Sequence, residues 1–238
     1  MGRESGQHAG FAPAVDPTLS LILATVVFLG IHALPSTSLR RLFVGAIGES
    51  AWLGLFSLAS LGGLAWMAVA YKSAPFEGLW PGLRLVPLAL APFAFVLLAC
   101  GLLSRNPALL GQAGALKREE PARGILRVTR HPIMWAIMLW AAAHILAVGS
   151  LQAVIFFGGL LLLAAAGTAL QDARKAAQLG EDWARFAART SNLPFAAVLQ
   201  GRNRVVWREI GWWQPAAGLA AFAAVLWLHG WLFGVRAY

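Results

Sequence analysis

The sequence predicts an all-α, polytopic integral membrane protein, and three observations support this class. Of its 238 residues, 59% are hydrophobic and 12% are charged, whereas soluble proteins are about 45–50% apolar and about 25% charged. Several apolar segments approach the length that a helix needs to cross a bilayer core of about 30 Å. The basic residues are concentrated in alternate connecting segments, as in multi-pass proteins of fixed orientation.

Six apolar segments are the candidate spanning helices. They cover residues 18–34, 50–70, 85–103, 132–148, 151–170 and 215–233. We therefore expect about six transmembrane helices in one domain, residues 18–238, after a polar N-terminal tail of residues 1–17. A cleaved signal peptide is the alternative for the first segment. An uncleaved span is favoured, because the segment is long for a signal peptide and no clear cleavage site precedes Pro35.

The first, third and fifth connecting segments contain 15 of the 19 lysine and arginine residues. Cytoplasmic loops are enriched in these residues, so we expect these segments in the cytoplasm and both termini in the periplasm. The formal charge of +9 is compatible with nucleic-acid binding. However, basic residues beside membrane segments favour the lipid bilayer and its anionic headgroups as partners, and nucleic acid is excluded.

The connecting segments also predict local structure. Residues 171–190 place Leu179, Trp183 and Phe186 at helical spacing among basic residues, which predicts a cytoplasmic amphipathic helix between spans five and six. Gly180 interrupts this pattern. Only Gly149 and Ser150 separate spans four and five, so these spans should form a tight hairpin.

Three histidines lie within predicted spans, where an ionisable side chain suggests a function. His144 lies about 7 Å from the outer end of its helix, at 1.5 Å per residue. His229 is predicted at a similar depth, and His32 lies some 10 Å from the level of His144. Neutral imidazole binds haem iron and other metals. Hydrogen-bonded core histidines are the alternative interpretation, and both stay open.

A second candidate site precedes the fourth span, in the pattern R-x-T-R-H-P. Arg130 can bind a carboxylate or phosphate with two hydrogen bonds, and His131 can act as an acid or base near neutral pH. The alternative is that these basic groups only set the orientation and bind lipid headgroups. Nearby, Glu49 is expected to pair with Arg40 or Arg41.

Several ordered motifs give the chain a resemblance to the NnrU family of bacterial membrane proteins. They are F-L-G-I-H-A-L-P-S (28–36), G-E-S-A-W-L-G-L-F-S-L (48–58), A-Y-K-S-A-P (70–75), P-A-R-G-I-L-R-V-T-R-H-P (121–132), T-S-N-L-P-F (190–195), G-W-W (211–213) and L-H-G-W-L-F-G-V (228–235). The resemblance implies an inner-membrane location. It also implies a haem-binding accessory role in nitrite and nitric oxide reduction during denitrification, with reductase components as possible partners.

The motifs are also similar to those of the zeta-carotene isomerases, which implies haem b and a cis–trans isomerisation of a carotenoid-like polyene. Their ligand histidines correspond to His32 and His144, and a histidine near His229 is also retained. Their alternative cysteine ligand corresponds to Ala141, which has no donor atom. In this interpretation His144 is the first ligand, His32 or His229 is the second, and Arg130 with its basic neighbours contacts the haem propionates.

A weaker similarity is to membrane methyltransferases that use S-adenosylmethionine, which carry a His–Pro pair at the same place. There the inner-face region around Arg130 and His131 would bind the cofactor. The acidic pair typical of those enzymes is missing, since Asp172, Arg174 and Lys175 stand in its place.

Overall fold

Each apolar segment forms a helix, because backbone N–H and C=O groups in hydrocarbon must be satisfied within the segment. The computed structural model describes residues 15–109 and 111–235. Its helices are α1 (Pro17–Ala33), α2 (Leu39–Ile47), α3 (Glu49–Ser73), α4 (Leu85–Leu103), α5 (Pro132–Val148), α6 (Leu151–Arg189), α7 (Ala196–Leu199), α8 (Trp207–Ile210) and α9 (Trp213–Phe233). This part of the chain contains no β-strand, which confirms the all-α prediction. The predicted tail lies outside it except for residues 15–17.

Within the described ranges, five helices are long and apolar enough to cross a bilayer. They are α3, α4, α6, α9 and α1, the last with its 3₁₀ extension to Ser36. The sixth predicted span forms α5, whose 17 residues extend about 26 Å. That length lies at the lower limit for a spanning helix. The prediction of a multi-pass membrane protein is therefore confirmed, with α5 at this lower limit of length.

The fifth span and the predicted amphipathic helix form one element in the structure. Helix α6 runs for 39 residues, and its backbone departs from helical geometry only at Gly180, where φ is +52°. A positive φ is accessible to glycine at little cost. The first part of the amphipathic segment, up to residue 179, thus continues the span beyond the membrane, and its second part follows a kink at Gly180, the residue at which the sequence pattern is interrupted.

The six apolar helices pack side by side in a spatial order that differs from their order in the chain. Helix α1 packs between α3 and α6, α5 packs between α6 and α4, and α9 packs on α4. Their main contacts thus give the spatial order α3, α1, α6, α5, α4, α9. Helix α9 lies at one end of this row and buries only Gly218 among its residues. Large apolar side chains such as Trp231 remain exposed along the row, as expected for helices surrounded by lipid.

The connecting segments meet on two opposite faces. On one face the first segment lines a cavity with the fifth, and Arg130 of the third segment contacts Asp172 of the fifth. On the other face, the second segment contacts the fourth, since the Leu79 N–H donates to the Gly149 carbonyl at 2.7 Å. The structure therefore separates the odd-numbered, basic segments from the even-numbered ones. We call the side with the odd-numbered segments the basic face.

The hairpin between α5 and α6 turns at Gly149, as the sequence predicts. Gly149 has φ of +65° and ends α5 in the left-handed region. A Cβ atom at this position would collide with the Trp80 carbonyl oxygen. The N–H of Leu151 donates to the Glu77 carbonyl at 2.8 Å. The hairpin and the loop before α4 thus form one closed structure on the face opposite the basic one.

The largest buried apolar cluster lies at the basic face, where the connecting segments pack on the helix ends. It includes Cys100 from α4, Leu126 from the segment before α5, and Trp183 and Phe186 from the continuation of α6. Cys100 is fully buried. This cluster gives the basic face a protein core of its own and supports the polar groups described next.

Candidate functional site

Two side chains that precede α5 share one carboxylate of α6. Arg130 donates from Nε to Asp172 Oδ2 at 2.9 Å and also from Nη2 to the same carboxylate. His131 donates from Nε2 to Asp172 Oδ1 at 2.7 Å. The His131 side chain is 1% exposed, whereas those of Arg130 and Asp172 are 14% and 20% exposed. We call these three residues the Asp172 clamp, because they join the start of α5 to the inner part of α6.

The backbone around the clamp is fixed by side chains from other segments. The Asn106 side-chain amide donates to the Arg130 carbonyl at 2.9 Å, and the Arg130 N–H donates to the Ser191 carbonyl at 2.9 Å. The hydroxyl of Thr129 and the indole N–H of Trp135 both donate to the Asn192 carbonyl, at 2.6 and 2.8 Å. Buried polar groups are stable when they are paired in this way. The segments before α5 and after α6 are therefore locked together.

This geometry decides what Arg130 and His131 can do. The guanidinium and the imidazole both donate to Asp172, and His131 is almost completely enclosed. The structure pairs Arg130, which the methyltransferase similarity places in the cofactor region, with a carboxylate of the protein itself. The clamp is suited to positioning α5 against α6.

A second ion pair lies beside the clamp. Arg127, which is 7% exposed, donates to Glu209 from Nε at 2.7 Å and from Nη2 at 2.9 Å, and from Nη1 to Asn203 Oδ1 at 2.6 Å. Glu209 also accepts from the Gly124 N–H at 2.8 Å. The hydrogen bonds from Arg127, which favour the charged carboxylate, lower the pKa of Glu209 to about 2.

The structure places His144 in an aromatic setting between α5 and α6. Its Nδ1 donates to the Trp140 carbonyl at 2.7 Å. Its ring lies 4.8 Å from the ring of Trp140 and 5.0 Å from that of Phe157, measured between centroids. Ala141, in the position that corresponds to the isomerases' alternative cysteine, is fully buried. His144 is half-buried, so one part of its ring is enclosed and another is accessible.

His32 has a similar local geometry on α1. Its Nδ1 donates to the Phe28 carbonyl at 2.9 Å. The ring contacts that of Phe28 at 4.4 Å and reaches that of Phe56 on α3 at 5.5 Å. His32 therefore lies between α1 and α3, close to the basic end of α1.

His229 lies near the end of α9. Its Nδ1 donates to the Val235 carbonyl at 2.8 Å, and its ring is 4.8 Å from that of Phe233. Helices α9 and α5 both pack on α4, so His229 and His144 belong to helices on either side of α4. The structure thus brings Arg130 and His131 together, and it places His229 within electrostatic reach of His144. His32, His144 and His229 do not form a three-residue metal group among the described residues.

The donor atoms of these three histidines are compatible with axial ligation of a haem. A carbonyl oxygen only accepts hydrogen bonds, so each Nδ1 carries the proton and each neutral ring keeps its lone pair on Nε2. Metal-bound histidines use this arrangement, in which the second ring nitrogen donates to a fixed acceptor. Among the described residues, no group of three or more His, Cys, Asp or Glu side chains could hold a bare metal ion. Haem iron needs only one or two protein ligands, so the donor set fits haem.

The sequence interpretation missed several groups that build the basic face. It named Asp172 as a departure from the methyltransferase pattern, without pairing it with Arg130, and it did not identify Asn106, Asn192 or Glu209. Asp172 could have been identified as a partner for basic residues, because it is an acidic residue directly after an apolar span and within a strongly basic region. Asn106 donates from its side chain to the backbone carbonyl of Arg130, and Asn192 accepts hydrogen bonds with its own backbone carbonyl. Contacts with backbone carbonyls leave no trace in a residue pattern.

Comparisons with known proteins agree with the motif resemblance. The chain is 29% identical over 204 residues to the chloroplastic 15-cis-zeta-carotene isomerase of Arabidopsis thaliana, and 26% identical over 200 residues to that of Zea mays. These matches cover 79% and 78% of this chain but 52% of each relative, so the chain spans about half their length. No solved structure matches it significantly. A model of the NnrU protein family matches residues 20–237. The chain belongs to the NnrU protein family.

Proposed function

We propose that this protein isomerises a cis double bond of a long, carotenoid-like polyene within the bilayer, with a haem b bound through His144. The reaction class is supported by the similarity to two 15-cis-zeta-carotene isomerases. The observation that carries the proposal is His144 itself, whose Nδ1 is held by the Trp140 carbonyl while Nε2 keeps its lone pair. A cis–trans isomerisation rearranges one double bond and changes neither the atoms nor the electrons of its substrate.

The surroundings of His144 suit a conjugated, apolar substrate. Trp140 and Phe157 contact its ring, and Phe157 also packs against Phe156 and Tyr71, with centroid distances of 5.0 and 5.8 Å. Aromatic side chains offer flat surfaces on which a conjugated chain can pack. A polyene dissolved in hydrocarbon can approach the row of helices from the side, so access through water is unnecessary.

Haem, when bound, would supply a redox-active iron with a coordination position that can interact with a double bond. His144 would be the first protein ligand, and His32 or His229 the second. Ala141 has no donor atom, so a change of ligand in this chain would use histidines and not a thiol. Arg130 and His131 are engaged with Asp172, and we assign them to the positioning of α5.

The haem part of the proposal is tested by absorption spectra of detergent-purified protein, oxidised and reduced. We expect a Soret band that His144→Ala abolishes. The control is His131→Gln, which keeps a donor for Asp172 and should leave the band unchanged. A band that survives in the His144→Ala protein would refute the ligand assignment.

The isomerase part is tested with protein in liposomes loaded with 15-cis-zeta-carotene, and isomers are separated by chromatography. We expect conversion by the wild-type protein and by His131→Gln, and only the uncatalysed rate with His144→Ala. Conversion by a protein that shows no haem band would refute haem as the cofactor but would still support isomerase activity. A haem band without conversion of this substrate would refute the isomerase.

A second candidate is a haem-binding accessory role in nitrite and nitric oxide reduction. It is favoured by the family match over residues 20–237, because this role is what resemblance to the family implies. The measurement is nitrite and nitric oxide reductase activity in membranes of a deletion strain of a denitrifying host. Reductase activity equal to that of the parent strain would refute this role. From the family resemblance and the distribution of basic residues, we also propose a bacterial inner membrane as the location, with the basic face in the cytoplasm.

A further inference from the structure

A cavity of about 500 Å³ lies at the basic face between the turn after α1, the start of α2, and α6. Its basic side chains come from two distant parts of the chain, Arg40 and Arg41 before the second span and Arg174 after the fifth. Arg40 is paired with Glu49 at 2.6 Å. Among the described residues, neither Arg41 nor Arg174 forms an ion pair with a carboxylate. The cavity thus has two cationic groups whose charge no carboxylate in the described part of the chain neutralises.

The depth of the cavity agrees with the position of a lipid headgroup. Arg174 is 23 residues after the first residue of α6, which is about 35 Å along the helix. The hydrocarbon core is about 30 Å thick, so Arg174 lies just beyond it. The α6 wall of the cavity also contains Leu170, Ala173 and Ala177. These apolar side chains stand beside Arg174 and Gln178 on the same wall, and they offer contact for the part of a lipid where the acyl chains begin.

Other polar groups of the cavity also favour an anion. Ser36 and Ser38 line it, and their hydroxyl groups can donate hydrogen bonds. Ser38 precedes α2, and its side chain does not cap that helix. These hydroxyl groups add to the two arginines and do not replace them.

We propose that this cavity binds the phosphate of an anionic phospholipid, with Arg41 and Arg174 as its cationic contacts. Arginine suits a phosphate because its planar guanidinium donates two parallel hydrogen bonds. The proposal does not depend on the isomerase or accessory function, since none of the histidines lines the cavity.

The test is a thermal-stability titration of the purified protein with short-chain phosphatidylglycerol, with short-chain phosphatidylcholine and inorganic phosphate as comparisons. A ligand that binds only the folded state raises the melting temperature, and the concentration dependence gives an apparent Kd. We expect stabilisation by phosphatidylglycerol at concentrations where the other two have no effect. Equal stabilisation by inorganic phosphate would overturn a lipid as the source of the phosphate.

Two variants and one control locate the site. Removing both charges in Arg41→Gln/Arg174→Gln should weaken binding of phosphatidylglycerol about 30-fold, because each basic group near an anionic lipid contributes about fivefold. Arg41→Lys/Arg174→Lys keeps both charges and loses the paired donors, so binding should weaken by only about fivefold. If the first variant does not fold, this second variant still tests whether Arg41 and Arg174 form the phosphate site.

The control is Arg105→Gln/Lys117→Gln. It removes the same charge from a separate basic cavity beside the end of α4. We expect its affinity for phosphatidylglycerol to stay within about threefold of wild type, since both groups are exposed and act only through screened, long-range attraction. Equal weakening in the control and in the Arg41/Arg174 variant would show attraction by net charge alone and would overturn the site.

Discussion

The ion pair between Arg127 and Glu209 provides a quantitative test of how the basic face is held together. We expect Glu209→Gln to destabilise the protein strongly, because the substitution leaves the guanidinium of Arg127 buried, at 7% exposure, with only the more distant carboxylate of Glu120, 3.8 Å away, as a counter-charge. Breaking a buried ion pair by removing one partner typically costs about 3–5 kcal/mol. At about 2–4 °C per kcal/mol for a chain of this size, the melting temperature should fall by about 6–20 °C.

The pH dependence gives an independent estimate of the same interaction. The pKa of Glu209 is about 2 in the folded protein and ordinarily 4.5, a difference that corresponds to about 3 kcal/mol. Because the folded-state pKa is the lower one, this stabilisation is fully present above pH 4.5. It is lost progressively as the pH falls from 4.5 towards 2, where Glu209 becomes protonated in the folded state as well.

The assay is thermal unfolding in detergent micelles, followed by tryptophan fluorescence, at a series of pH values from 7 to the lowest at which the protein stays soluble. The wild-type protein should lose stability below pH 4.5 more steeply than Glu209→Gln, which lacks the titrating group. The matched control is Glu119→Gln, since Glu119 is exposed and forms no ion pair within the described ranges. A Glu209→Gln protein as stable as the control at pH 7 would refute the reasoning.

Two further substitutions test the helix contacts by the same melting assay. Asp172→Asn removes the charge that Arg130 shares with a buried histidine, and we expect a loss of about 3 kcal/mol or more; a loss below 1 kcal/mol would contradict the clamp. Gly218→Leu should detach α9 from α4 and lower the melting temperature, because a Cβ at this position would lie 2.7 Å from the Phe95 carbonyl oxygen. Its control is Gly158→Leu, where a Cβ has no atom within 4 Å, and equal effects of the two substitutions would contradict the proposed contact.

The sequence was sufficient to predict the spans and their alternation, because both depend on local properties. Apolar length gives the helices, and the distribution of basic residues separates the two faces. The turn at Gly149 was predicted from the short distance between two apolar segments. The pair between Arg40 and Glu49, which are nine residues apart, was also predicted and is observed at 2.6 Å.

The contacts that build the candidate site could not be predicted from local hydropathy and charge. Arg130 and Asp172 are 42 residues apart, and Arg127 and Glu209 are 82 residues apart. The first pair depends on the packing of α5 on α6, and the second on the packing of α8 against the segment before α5; hydropathy specifies neither contact. The amphipathic segment appeared to be a separate helix because its composition changes at Asp172, yet no glycine or proline lies between Asp172 and Gly180, and the helix of the span continues as far as the kink at Gly180.

The Asp172 clamp and the aromatic setting of His144 lie near opposite ends of the same helix pair. His144 is 12 residues after Pro132, about 18 Å along α5, and Phe157 is 15 residues before Asp172, about 22 Å along α6. A helix transmits axial displacement with little compression, so fixing one end of α5 against α6 also fixes their register at the other end. Under the proposed function, Asp172→Asn should therefore alter the haem spectrum through the position of His144 without removing any ligand. A spectrum unchanged in folded Asp172→Asn protein would show that the packing of α5 on α6 sets this register without the clamp.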